Sequence, residues 1–187
     1  MEKLKNRSAA TVIAVVVVVL ATLFGVHRSV NAQVTKAENA FYTGVYLEDD
    51  GYYEKSIMSQ LDQRTQAANG LLSIASGVDG LKSETDDLRK AREELLNAHR
   101  FSGMYDANEK LQKAYEKLLP VLEKQELPEN MAEALRSYSA TMDGAQTVIA
   151  RSSYNDFIDD FKKDTLGAFP VSLLKYLAFT DVPQKFE

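Results

Sequence analysis

Residues 74–98 read IASGVDGLKSETDDLRKAREELLNA and set Ile74, Leu81, Leu88 and Leu95 seven residues apart. Val78, Ala91 and Ala98 thicken that stripe, while Lys82, Glu84, Asp86, Asp87, Lys90, Glu93 and Glu94 fall on the other side. Apolar side chains that return every three, four and seven residues line one face of a helix. The segment therefore predicts an amphipathic helix running to about Ala98, with one buried and one wet face. On the wet face Asp86 and Lys90 stand at the i,i+4 spacing that favours an ion pair.

The same rhythm continues in both directions. Upstream, Ile57, Leu61, Arg64 and Ala68 form one stretch and Val34, Ala37, Phe41 and Val45 an earlier one, interrupted at Glu48-Asp49-Asp50-Gly51. That acidic step reads as a kink or short loop. As a calcium loop it would put Tyr46 at the first ligand position and Ile57 where the bidentate carboxylate belongs, so a solvated turn is the better reading. Downstream, Phe101-Ser102-Gly103 breaks the pattern and Met104, Leu111, Leu118 and Leu122 start a third helix. Leu127-Pro128-Glu129-Asn130 separates it from a last long helix carrying Met131, Leu135, Tyr138, Met142, Ala145, Ile149, Ile158 and Phe161 and ending near residues 165–167. No strand pair is expected. Short links between long helices force antiparallel neighbours, so the fold expected is all-α, an up-down bundle of three to four long helices.

Before this body, residues 9–26 read AATVIAVVVVVLATLFGV, 18 residues without a charge, eleven of them Val, Ile, Leu or Phe. Those eleven alone favour bilayer insertion by about 3 to 6 kcal/mol, and the helix from Ser8 to His27 is roughly 30 Å long, the thickness of the hydrocarbon core. The stretch exceeds a typical signal-peptide core, so an uncleaved anchor is preferred to cleavage after Ala32, although Val30-Asn31-Ala32 has the small-residue pattern of a cleavage site. The expected organisation is a cytoplasmic N-terminus at 1–8, a transmembrane anchor at 9–26 and the helical body at 27–187. Lys3, Lys5 and Arg7 before the span outnumber Arg28 and Lys36 after it, which places the body outside the cytoplasm.

Composition narrows the chemistry. The net charge is −5, and because residues 1–8 are basic the remainder carries −7, which repels nucleic-acid phosphates. With no Cys and only His27 and His99 there is no thiolate chemistry, and no Glu-x-x-His motif supplies a di-metal bundle site. Acyl-transfer elbows, Walker loops, dinucleotide fingerprints and H-E-x-x-H are all missing, so neither an enzyme nor a bound cofactor or metal is expected. Asp156, Asp159 and Asp160, beside Lys162 and Lys163, read as a solvated helix face.

The C-terminal third carries an ordered series: Ile149-Ala150-Arg151, Tyr154-Asn155, Phe169-Pro170, Leu177-Ala178-Phe179, then Pro183, Phe186 and Glu187. It resembles the end of the LemA family of bacterial membrane proteins. Leu61, Arg64, Asn69, Leu71-Leu72 and Gly77 resemble an upstream family segment, and Ala91-Arg92 and Glu123 with Leu127 match more weakly. The likeness covers residues 57–187 and, in position, the N-terminal span. It implies a membrane-anchored antiparallel helical body with no established biochemical activity. Departures are Phe161-Lys162 in place of a second aromatic-Asn pair, Ala178 for Gly, and Asn69-Gly70 where a Pro is usual.

The candidate structural or interaction residues are Arg64, Arg151, Tyr154, Asn155, Phe169, Pro170, Phe179 and Phe186. On a continuous helix Arg151 and Asn155 face the same way with Tyr154 beside them, available to a neighbouring helix at Gln63 or Arg64, or to the tail after Phe169-Pro170. Leu173, Leu174 and Leu177 predict a short amphipathic helix that folds back over one end of the bundle. The function expected is protein binding at the bacterial envelope, as scaffold or regulator. The alternative is an extracytoplasmic small-ligand sensor or carrier, distinguished by whether the bundle encloses a cavity.

Overall fold

The computed structural model describes residues 7–47, 51–167, 169, 171–174 and 184–187. It contains helices α1 (Arg7–Tyr42), α2 (Ile57–Ala75), α3 (Lys82–Leu96), α4 (Phe101–Leu122), α5 (Glu129–Ala150), α6 (Tyr154–Asp160) and α7 (Val171–Leu174). A short hairpin of β1 (Val45–Leu47) and β2 (Tyr52–Glu54) lies between α1 and α2. The fold is all-α with a long apolar N-terminal helix, as the periodicity predicts. The chain forms two compact units, one of residues 1–38 and 156–183, the other of residues 39–155 and 184–187.

In the first unit, α1 changes character at Val26. Val12, Ile13, the Val15–Val19 run, Leu20 and Phe24 are exposed, whereas Val26, Val30 and Val34 are buried at four-residue spacing. These three valines share a core with Phe161 and Leu166, and Val171 packs against its edge. α6 loosens after Asp160 into a wider turn, Phe161–Thr165, closed by Leu166 N donating to Phe161 O at 3.1 Å. Lys36 lies over the Phe157 ring, its Nζ 5.7 Å from the centroid. Of the sequence-derived tail elements, α7 is observed, Phe169 is exposed, and Pro170, Leu177 and Phe179 lie outside the described residues.

The second unit is the bundle. α2 packs against α3 and α5, and α3 packs against α4. Paired contacts fix antiparallel registers. Lys110 meets Glu94 and Lys117 meets Asp87 between α3 and α4, while Asn108 meets Gln146 and Tyr115 meets Ser139 between α4 and α5. Leu61, Leu71, Leu88, Leu111, Leu118, Leu122 and Met142 are almost fully enclosed and form the interior. Ser56 caps α2, its Oγ accepting from Ser59 N at 3.1 Å. At Gly70 a side chain would run into the Tyr138 ring of α5, so the missing Cβ lets that aromatic lie on α2.

Several sequence expectations are corrected. A strand pair does interrupt the helices: Val45, Tyr46 and Leu47 pair with Glu54, Tyr53 and Tyr52. Gly51, at φ 67°, returns the chain, its N–H donating to Leu47 O at 2.8 Å. The acidic residues 48–50 lie outside the described residues. The seven-residue series crosses two helices, because α2 ends at Ala75 and Gly80, at φ 84°, turns the chain before α3. All four members are nonetheless buried. Phe101-Ser102-Gly103 opens α4 instead of breaking it, and Asp86 pairs with Arg89 at 2.6 Å, not with Lys90. The last long helix is broken at residues 151–153.

Candidate functional site: a docked chain end and its pocket

The break at 151–153 is held by a residue that periodicity does not flag. Glu54, at the end of β2, is 8% exposed. Its Oε1 accepts from Ser152 Oγ at 2.6 Å and from Ser153 N at 3.0 Å, and its Oε2 accepts from Ser153 Oγ at 2.6 Å. Ser152 Oγ in turn accepts from the N–H of Tyr154, the first residue of α6, at 3.3 Å, a local serine turn that leads into the helix. A carboxylate at a helix start is favoured by the unpaired N–H groups there. This cluster ends α5, restarts the helix as α6 and aims Tyr154 and Asn155. The signal available in the sequence was two short β-favouring runs around Gly51.

Tyr154 and Asn155 hold residues 184–187. Tyr154 Oη donates to Gln184 O at 2.8 Å. Asn155 Oδ1 accepts from Phe186 N at 2.8 Å, and its Nδ2 donates to Phe186 O at 3.1 Å. The side-chain amide thus pairs with the Phe186 backbone as a neighbouring strand would. The Phe186 ring enters an aromatic box in which Phe41 lies 5.6 Å from Phe186, 5.4 Å from Tyr154 and 4.6 Å from Phe101 between centroids. Tyr105 meets Phe186 edge-on at 5.4 Å. Edge-to-face pairs of this kind add about 0.5–1.5 kcal/mol each beyond their burial.

The other candidates are dispersed. Arg151 caps the end of α5 and is exposed, on the far side of the break from Asn155. Arg64 is completely buried in the bundle; its Nη2 donates to Gln112 Oε1 at 2.5 Å and it does not meet Asn155. Its Nε and Nη1 have no partner among the described residues. Burial pushes its pKa down to about 10, against the opposing fields of Glu109 and Asp143.

Beside the docked residues is a pocket of about 260 Å³, walled by Tyr105, Asn108, Glu109, Gln146, Asn155 and Phe186 among others. Asn108, 1% exposed, donates through Nδ2 to Gln146 Oε1 at 3.1 Å, and its Oδ1 is buried without a partner among the described residues. No group of three or more metal-ligating side chains occurs among the described residues. One helix among them, α1, is long and apolar enough to cross a membrane. Comparisons with protein-family models, curated proteins and solved structures find no match to this chain.

Proposed function

We propose that this chain is a LemA-like protein of the bacterial envelope, anchored by a single membrane span at 9–26, whose helical body binds other proteins as a scaffold or regulator. The observation that carries the reading is the change in α1 at Val26, from an apolar surface exposed all round to a one-sided buried stripe. A helix apolar on every side suits lipid, and one with a single apolar stripe suits a protein core. An uncleaved N-terminus is supported by Val26 and Val30, which share a core with Phe161 and Leu166 and would be lost on cleavage after Ala32. The Lys/Arg bias orients the body away from the cytoplasm.

Protein binding is supported by the hairpin. Tyr42, Tyr46, Tyr52 and Tyr53 are each about half exposed around it, and tyrosines are enriched among the residues that dominate binding energy at interfaces. The test has two parts. The full chain should stay with membranes after alkaline carbonate washing and keep its N-terminus by mass spectrometry; a washed-off chain beginning at Gln33 would overturn the anchor. Partners crosslinked to the wild type should be lost from a Tyr46→Ser/Tyr53→Ser variant that melts normally, and retention would overturn the binding role of the hairpin. A second reading, a small-ligand sensor or carrier, is favoured by the pocket beside Asn108.

A further inference from the structure

We infer that the pocket beside the docked chain end binds a small organic cation with at least one N–H donor, a primary or secondary ammonium. The inference rests on the second reading above, that the body takes a small ligand, and names the ligand's class.

Three observations converge on it. The first is the unsatisfied Asn108 Oδ1. A buried acceptor without a partner is costly, and with Asn108 Nδ2 donating to Gln146 Oε1 it is the Oδ1 that is left unpaired among the described residues. Flipping both amides would instead leave an Asn108 N–H unpaired and call for an acceptor, the strongest of which would be an anion. The second observation decides between these. Among the described residues, the charged ones lining the pocket are Glu109 and Glu187, with no lysine or arginine. An anion would face two carboxylates, whereas a cation is drawn in by both. Glu187 is shared with Lys185 at 3.8 Å, and Glu109 also acts on Arg64, which is not part of the lining. Both carboxylates thus have a cation nearby, but neither cation is among the described lining residues, so the charged groups that face the pocket are carboxylates.

The third observation is shape. Tyr105, Tyr154 and Phe186 supply aromatic wall, a surface that attracts cations and accepts alkyl carbon alike. The volume, about 260 Å³, far exceeds the roughly 15 Å³ that one bound water needs and falls just below the usual range for ligand sites. It suits a short-chain amine better than a nucleotide or a lipid. Because Phe186 and Glu187 form part of the wall, the site is complete only when residues 184–187 are docked.

The test is calorimetric titration of the detergent-solubilised full-length protein with n-butylammonium chloride, butan-1-ol and sodium butyrate as cationic, neutral and anionic probes of matched size. Saturable binding is expected for the ammonium alone, weakened about tenfold or more in Asn108→Leu and in Glu109→Gln. Glu109 is half-buried, so its Gln variant serves if Asn108→Leu fails to fold. Ammonium binding unchanged in a folded variant would overturn the site. Saturation by butanol or butyrate instead, abolished by Asn108→Leu, would overturn the cation while leaving a ligand pocket. Failure of all three probes would overturn the inference and count against the second reading as well.

Discussion

Asn155 and Phe186, 31 positions apart in sequence, are joined by two hydrogen bonds of 2.8 and 3.1 Å between one side-chain amide and one residue's backbone. The geometry separates two contributions. The amide secures the backbone of the chain end, and the aromatic box secures the ring. Asn155→Ala should cost about 1–3 kcal/mol by leaving the Phe186 N–H and C=O to find other partners. Phe186→Ala should cost about 3–5 kcal/mol by emptying the space between Phe41 and Tyr105. Since each contact depends on the other residue being docked, the double variant should cost clearly less than the two single costs combined. Urea unfolding of the four proteins measures the coupling, and strict additivity would show that the amide and the ring act independently.

Gly70 offers a test whose sign reverses with context. In a helix interior Ala is favoured over Gly by about 1 kcal/mol, so propensity alone predicts that Gly70→Ala stabilises α2. The Tyr138 ring occupies the space that the new Cβ would need. Gly70→Ala should therefore destabilise the wild type, and should stabilise a Tyr138→Ala background by up to about 1 kcal/mol. Thermal melts of the two pairs decide it; stabilisation in both would mean that Tyr138 swings aside without cost.

The bundle was legible because burial on a helix repeats with the helix period, and α2 to α5 each bury such a stripe. What failed was the reading of interruptions. Ile74 and Leu81 keep the seven-residue spacing across a turn at Gly80, so the register continues where the helix does not. The opposite error occurred at residues 151–153. Ile149 and Ile158 are both buried, yet nine residues is two and a half helical turns and would point them to opposite sides of one helix. That mismatch was the available sign of the break. The hairpin was missed because three-residue strands are too short for alternation to stand out. Of the site, Tyr154, Asn155 and Phe186 were marked by resemblance, whereas Glu54 and Asn108 were not, since a single buried polar residue has no period.

Arg64 makes a prediction about what burial costs. It is 0% exposed, has one hydrogen bond, to Gln112, and leaves two guanidinium nitrogens without partners among the described residues. Replacing such a charge with an apolar side chain of similar length is commonly neutral or favourable, so Arg64→Met should stabilise the body by up to about 4 kcal/mol. Arg64→Ala should gain less or lose stability, because it leaves a cavity. The folded pKa, about 10, lies below the ordinary arginine value, so the unfolded chain holds the proton more tightly above pH 10. The Arg64 penalty is relieved only in that alkaline window and is constant below it. The gain in Arg64→Met should accordingly be the same from pH 6 to pH 9, read by urea midpoints; a gain that varied across this range would contradict the assignment.

Tyr115 titrates in the opposite sense. It is 1% exposed between α4 and α5, and its hydroxyl donates to Ser139 O over a long 3.5 Å. Burial raises its pKa to about 12, with the Asp143 carboxylate adding to the shift. A raised folded value means that the native state keeps the proton after the unfolded chain has released it. The contribution is fully present below the ordinary phenol pKa near 10 and is lost as pH rises through about 12. Tyr115→Phe removes that loss at the expense of one weak hydrogen bond, so at pH 7 it should change stability by no more than about 1 kcal/mol. Between pH 10 and 12 the variant should gain on the wild type by about 1.4 kcal/mol per pH unit. Arg64 titrates in the same window and its pKa responds to the Tyr115 charge, so both proteins are compared in the Arg64→Met background. Parallel pH–stability curves for the two proteins across this range would show that the Tyr115 phenol ionises as readily in the bundle as in the unfolded chain.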